Sequence, residues 1–388
     1  MPIIAGLKLL FSTRPAYGHV YPMLPLALAA RAGGHDVEFA TTGTFLSKLE
    51  ALGFAVHNVG LTIDQAQSMV LSAAQHGEMP RGDDGRPDVD MGARMFVDVI
   101  AHRTATDLAP VLQWLRPDLV VYEQYEFGAA VAAHGAGIPA VCHALSPRFP
   151  DELLEALGSR LERVWADDGS KPSSFDVLTG DAYLDIFPAM LQEPSFLAHP
   201  SRMPIRPIPY AEPSALVPRW ITSTTRPLVY LTLGTIVSTD DVLRPAIAGL
   251  GNLDVDVLLA LGSAAGADLG PLPANVHVEA FVDQSAVLEH ADLVVHHGGS
   301  GTLLGALISA TPQLLLPKGA DQFINADLMG AAGLASVLEP SAVTAESVAA
   351  AGSHAMVEQR PAADAARGEI AAHPAPAEVL SELLIRFG

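Results

Sequence analysis

Cysteine is almost absent: the 388-residue chain has one, Cys142, set in the apolar run PAVCHAL. One thiol cannot close an internal disulfide or build a thiolate metal cluster, which points to a buried side chain and a reducing, cytoplasmic setting. Basic residues are scarce as well. Twenty-two Lys and Arg stand against 43 Asp and Glu, a formal net charge of −21, and this excludes a general surface for nucleic acid or anionic lipid, which needs clustered cations. Any phosphate has to be met locally. Charged residues of both signs reach only 17% against 49% hydrophobic, a balance that argues against disorder and supplies apolar material for buried strands. Yet no run attains the roughly 18 uninterrupted apolar residues of a membrane span. The N-terminal MPIIAGLKLLFS lacks a small-residue cleavage site after a basic segment, so it reads as a first strand.

The length suits two domains of roughly 150 to 200 residues each. Apolar runs at 7–12, 37–41, 54–59, 118–122 and 139–144 alternate with helical patterns, and a second series at 227–233, 255–261, 277–282, 292–297 and 313–317 does the same. Alternating β and α implies parallel sheets. Between the two series prolines fall at 194, 200, 204, 207, 209, 213 and 218, which disfavours helix interior and central strand. The expected division is an N-terminal domain over 1–205, a linker over 206–226, a C-terminal domain over 227–375 and a last helix over 376–388 that packs back on the body. Residues 77–90, rich in Gly, Pro and Asp, read as an exposed loop.

The most informative stretch is DLVVHHGGSGTLLGALISATPQLLLPKGADQFINA at 292–326. An apolar strand runs into a glycine turn and then a helix, so free N–H groups and the positive end of a helix dipole meet at one place, where an anion is favoured. Gly298, Gly299 and Gly301 permit close backbone approach, Ser300 and Thr302 offer hydroxyls, and His297 offers an imidazole N–H. Leu304 stands where a dinucleotide fingerprint needs glycine, and no lysine follows the glycines as in an ATP-binding loop. A bare GGSG turn would more often be a simple strand–helix connection; its neighbours are what single this one out.

HHGGSGT followed by PKGADQFINA, with FVDQ upstream and a GH loop after the first strand, resembles the nucleoside-diphosphate-sugar glycosyltransferases of the GT-B fold. Within them the chain is most similar, over nearly its whole length, to actinobacterial enzymes that glycosylate antibiotic and other polyketide aglycones. The resemblance implies two Rossmann-like, doubly wound α/β domains facing each other across a cleft, with the acceptor on the N-terminal and the donor mainly on the C-terminal one. It implies that His297, Gly299, Ser300, Gly301 and Thr302, with Thr235 of the LTLGT loop, hold the donor diphosphate. Asp321 and Gln322 would bond the sugar hydroxyls, and Phe281 and Val282 would lie beside the base. His19, just after the first strand, would be the general base, a role that suits an imidazole and typically contributes ~10²–10⁴-fold. A carboxylate after the fourth strand would orient it. Here VVYEQYE places Glu123 where aspartate is common, and Asp118, near the start of that strand, ranks behind it.

No metal and no cofactor are expected. Two D-x-D pairs occur, Asp88 with Asp90 and Asp254 with Asp256, but the first lies in the Gly/Pro-rich loop and the second at a strand start, so neither reads as a metal site. No two of the fourteen histidines are three or four residues apart, so no local zinc motif is present. The expected partners are a nucleotide-sugar donor and a small-molecule aglycone. Thymidine or uridine diphosphate, the acceptor, and the oligomeric state, a homodimer included, stay open. A nucleotide-sugar epimerase of the same architecture is the alternative enzyme; an inactive accessory partner of a transferase and a two-domain solute-binding protein are the non-enzymatic readings.

Overall fold

A computed structural model describes residues 6–388 apart from 76, 78, 83–85, 87, 150, 169–177, 211–216, 235–239, 263–268 and 320. The chain divides into two units, residues 1–208 with 373–388, and residues 209–372.

The first unit is built on a seven-stranded parallel sheet: β1 (Lys8–Ser12), β2 (Asp36–Thr41), β3 (Ala55–Asn58), β4 (Leu119–Glu123), β5 (Ala140–His143), β6 (Ala182–Asp185) and β7 (Arg202–Pro204), in the order β3-β2-β1-β4-β5-β6-β7. Phe11 pairs with Phe39 on one side and Val121 on the other, and Leu9, Leu10 and Phe11 are all buried. Strands covered on both faces carry continuous apolar runs rather than an alternation, which is why LLF and LVV are uninterrupted. The strand order reverses between β1 and β4. Connections leaving the carboxyl ends of these two neighbours diverge to opposite faces, so a crevice opens there, the usual ligand position in such sheets. The last helix, Pro376–Phe387, lies on helix Leu24–Ala32 of this unit. Val379, Leu380, Leu383 and Leu384 form its buried stripe.

In the second unit, β8 (Leu228–Thr232), β9 (Asp256–Ala260), β10 (Val276–Glu279), β11 (Leu293–His296), β12 (Gln313–Leu315) and β13 (Ala335–Val337) form a parallel sheet in the order β10-β9-β8-β11-β12-β13. Successive side chains of β8 go to opposite faces: Val229 and Leu231 join the cluster with Leu243, Ile247 and Val348, while Leu228 and Tyr230 join Ile221, Leu258 and Val294. The reversal here falls between β8 and β11.

Two features differ from the sequence expectation. Residues 209–226, expected as linker, belong with the second unit: Ile221 is in its core, and Arg226 pairs with Asp256. Strands β6, β7 and β13, absent from the expected series, extend the two sheets at one edge.

Candidate active site

His19 sits in the short helix Tyr17–Val20 after β1, and Glu123 is the last residue of β4. The two are therefore neighbours across the β1/β4 reversal, and His19 Nδ1 lies 3.0 Å from Glu123 Oε1. Glu123 is fully buried, and its second oxygen accepts the Tyr125 N–H at 2.7 Å. Burial opposes its charge, but His19, the Arg14 guanidinium and the Tyr125 N–H together outweigh it and hold the carboxyl below the usual carboxylate range. A carboxylate can only accept, so Nδ1 carries the hydrogen and the Nε2 lone pair is left to take a proton. The imidazole keeps about a quarter of its surface exposed. Tyr125 stands edge-on to it at 5.9 Å between ring centroids, and Phe96 and Phe149 pack on Tyr125 at 5.6 and 4.9 Å. Phe96 comes from the widened helical turns Arg94–Ala101, where i→i+5 bonding replaces the α pattern. Such π segments are frequent at functional sites.

Asp118 does not join this group. Its Oδ2 accepts the Lys8 N–H at 2.7 Å, at the opposite end of β1.

In the second unit the turn after β11 is set by histidines and glycines. His296 is buried; Gly298 N–H donates to its Nδ1 at 3.2 Å, and its Nε2 donates to Gln313 Oε1 at 2.9 Å. Both bonds fit one neutral tautomer, and burial, with His297 alongside, pushes its pKa down to about 3. Gly298 has φ of +90°, a conformation glycine adopts without strain. A Cβ on Gly299 would lie 2.5 Å from His297 Nε2, and one on Gly234 would lie 2.7 Å from His297 Cε1. The His297 ring thus rests between two bare stretches of backbone. Burial pushes its pKa down to about 4, so it is a neutral N–H donor near neutral pH.

Helix Ser300–Ser309 starts here with no side-chain cap, and its first N–H groups are the ones a helix leaves without internal partners. Around that start, Asn325 Nδ2 donates to the Gly298 carbonyl at 2.9 Å and to Ser300 Oγ at 3.2 Å, while Ser300 Oγ lies 3.4 Å from Asp321 Oδ2. Thr302 Oγ1 donates to Gln284 Oε1 at 3.0 Å, tying the FVDQ segment to the helix. Gln322 Oε1 accepts the N–H groups of Lys318 and Gly319 at 2.9 and 3.1 Å. Gly301 is exposed, and a Cβ there would meet nothing within 4 Å among the described residues. Phe281 is half exposed, whereas Val282 is buried with Ile221, Leu258 and Val287. Thr235 lies outside the described residues.

The carboxylates of the two D-x-D pairs are engaged locally. Asp88 caps helix Val89–Ala93 through Met91 N–H, and Asp90 pairs with Arg94 and Arg160. Asp256 binds Thr224 and Arg226, and Asp254 lies 3.9 Å from Arg226. Among the described residues no helix is long and apolar enough to cross a membrane. Four residues of these half-sites were not anticipated: Arg14, Glu126, Gln284 and Asn325. Gln284 and Asn325 lie within the FVDQ and PKGADQFINA stretches and carried that signal alone; Arg14 and Glu126 carried none.

Residues 28–234 match the N-terminal domain, and residues 244–385 the C-terminal domain, of erythromycin biosynthesis protein CIII-like proteins. The L-demethylnoviosyl transferase of Streptomyces niveus is 31% identical over 84% of each chain. The elloramycin glycosyltransferase of Streptomyces olivaceus is 31% identical over 98% of each. Among solved structures, the glycosyltransferase SnogD of Streptomyces nogalater superposes with a TM-score of 0.76 at 28% identity, covering 98% of this chain and 99% of that one. The Streptomyces sp. SF2575 glycosyltransferase SsfS6, complexed with thymidine diphosphate, gives 0.77 at 24% identity over the same shares. Both sheets have the parallel, doubly wound order of the GT-B glycosyltransferases.

Proposed function

Because the chain belongs to the erythromycin biosynthesis protein CIII-like glycosyltransferases of antibiotic biosynthesis, which use nucleoside-diphosphate sugars, we propose that it transfers a deoxysugar from a thymidine diphosphate donor to a hydroxyl of a natural-product aglycone. The transfer inverts the anomeric carbon, needs no metal and uses His19 as general base. The observation that carries this reading is the His19–Glu123 pair, 3.0 Å apart at the β1/β4 reversal. His19 Nε2 removes the acceptor hydroxyl proton as that oxygen bonds to the anomeric carbon, and the electrons of the broken bond leave with the diphosphate. Glu123 holds the ring in place by accepting from Nδ1 throughout.

On the donor side, the charge that develops on the departing diphosphate is met by the first N–H groups of helix Ser300–Ser309 and by neutral His297. Asp321 and Gln322 serve the sugar hydroxyls, and Phe281 covers the base. Thermal-shift titration with thymidine diphosphate, uridine diphosphate and NAD, each with magnesium and with chelator, tests the donor half. A ligand at 100 times its Kd stabilises by ~2.7 kcal/mol. Stabilisation by a diphosphate that persists in chelator supports the reading. A shift with NAD alone, or only with magnesium, refutes it. Turnover of the nucleotide sugar that needs no acceptor would instead favour an epimerase.

A further inference from the structure

Beneath the His19–Glu123 pair lies a second charged layer. Arg14, in the loop after β1, is one of the largest fully buried side chains. Its Nε stands 3.3 Å from Glu123 Oε1, the same oxygen that holds His19, and 4.0 Å from Glu126 Oε2. Its Nη2 donates to the Tyr125 carbonyl, and its guanidinium lies over the Phe96 ring at 4.4 Å from the centroid. Among the described residues Nε makes no hydrogen bond of acceptable geometry, so it acts on Glu123 as a nearby charge. Since Arg14 Nε and His19 Nδ1 both touch one oxygen, they are within about 6 Å of each other, a range in which unit charges matter strongly inside a protein.

Two opposite influences therefore meet at the imidazole. A buried carboxylate by itself favours a proton on the histidine beside it, and a histidine already protonated cannot act as a base. We propose that Arg14 is a positioning residue for His19: by sharing Glu123 Oε1 it offsets the carboxylate, keeps the imidazole neutral before reaction, and leaves Glu126 to balance the imidazolium afterwards. The proposal rests on His19 being the base in the reading above. The groups facing this cluster are His19, Arg14, Glu123 and Glu126, with His143 of β5 beyond Glu123 and the neutral Thr104 hydroxyl against Glu126. Burial, against the pull of Arg14 and with Glu123 alongside, pushes Glu126 up to about 7. A positive charge on His19 favours the ionised form of this carboxyl, so its charge responds to that of the imidazole. A carboxyl with that balance, packed against the guanidinium, is what a charge-compensating role requires.

The imidazole C2–H resonance of His19, assigned by its loss in His19→Gln, gives a direct test in the free protein. In Arg14→Met its titration midpoint should rise by about one pH unit, the effect of removing one nearby cation, while Arg14→Lys restores most of the original midpoint. Glu126→Gln, the milder change and the fallback should Arg14→Met not fold, should lower the midpoint. An unmoved midpoint in the folded Arg14→Met, or in Glu126→Gln when that variant alone folds, overturns the proposal. The acid limb of the kcat/KM profile should follow the same shifts. If the resonance moves and that limb does not, His19 is not the base and the role assigned to Arg14 in catalysis falls with it. An unmoved resonance in a protein whose activity still depends on His19 removes Arg14 alone.

Discussion

Replacing Gly301 with alanine adds one methyl group at the second residue of helix Ser300–Ser309, where a Cβ would meet nothing within 4 Å among the described residues. Its backbone is not in the left-handed region, so the substitution is compatible with the fold. Helical Gly→Ala changes gain up to ~1 kcal/mol, which for a domain of this size raises Tm by about 2–4 °C. The Cα–Cβ bond in a helix tilts toward the N-terminus, so the new methyl projects toward the diphosphate position proposed here. Losing one or two charge-assisted hydrogen bonds of about 1.5–3 kcal/mol each weakens binding by roughly 10- to 100-fold or more. The variant should therefore be as stable as the parent or more so, and bind thymidine diphosphate much less well, by calorimetry alongside thermal melting. Parent-like affinity in the folded variant would refute a diphosphate at this helix start. Gly299→Ala should behave differently: its Cβ would collide with His297 Nε2 at 2.5 Å, so stability falls, by about 1–3 kcal/mol.

Glu123→Gln removes both the counter-charge of His19 and that of buried Arg14; turnover should fall on the order of 10²-fold and stability by about 3–5 kcal/mol, with thymidine diphosphate affinity at low temperature unchanged in the same calorimeter. Asn325→Ala leaves the Gly298 carbonyl and Ser300 hydroxyl without their shared donor, at about 1–3 kcal/mol, and should weaken diphosphate binding in parallel, read from melts with and without ligand. For pH, His297 is depressed to about 4 from an ordinary 6.5. The unfolded chain binds the extra proton between those values, so this contribution is present above 6.5 and lost as pH falls toward 4. Glu126 is raised to about 7 from 4.5, so its contribution is present below 4.5 and lost as pH rises toward 7. Melts across pH 4–7 should accordingly lose part of their rise with pH in His297→Gln, and rise more steeply in Glu126→Gln.

The two sheets were legible because their inner strands are buried on both faces and carry unbroken apolar runs, as in LVV of β4 and LVV of β11. Strands β6, β7 and β13 escaped notice for the opposite reason: AYLD, RMP and ASV are short, and two include a charged or proline residue tolerated at or near a sheet edge. The proline count suggested a linker at 206–226, but proline also starts the 3-10 turn at Arg219–Ser223, whose Ile221 enters the core. At the site, the glycine turn and His19 could be read because their chemistry depends on local spacing. Arg14 could not, since a basic residue in a loop reads as exposed until tertiary packing places two carboxylates and an aromatic ring around it. Val282 shows the converse: it stands in the FVDQ segment beside exposed Phe281, yet its side chain turns into the core.

The central claim is that His19 takes the acceptor proton. Single-turnover transfer from a thymidine diphosphate deoxysugar to an aglycone hydroxyl that the parent glycosylates, compared between parent and His19→Gln, tests it most directly. The account predicts a fall of at least ~10² in rate, unchanged thymidine diphosphate affinity, and a product of anomeric configuration opposite to the donor's. A His19→Gln variant that turns over at the parental rate, or a product that keeps the donor configuration, would contradict it.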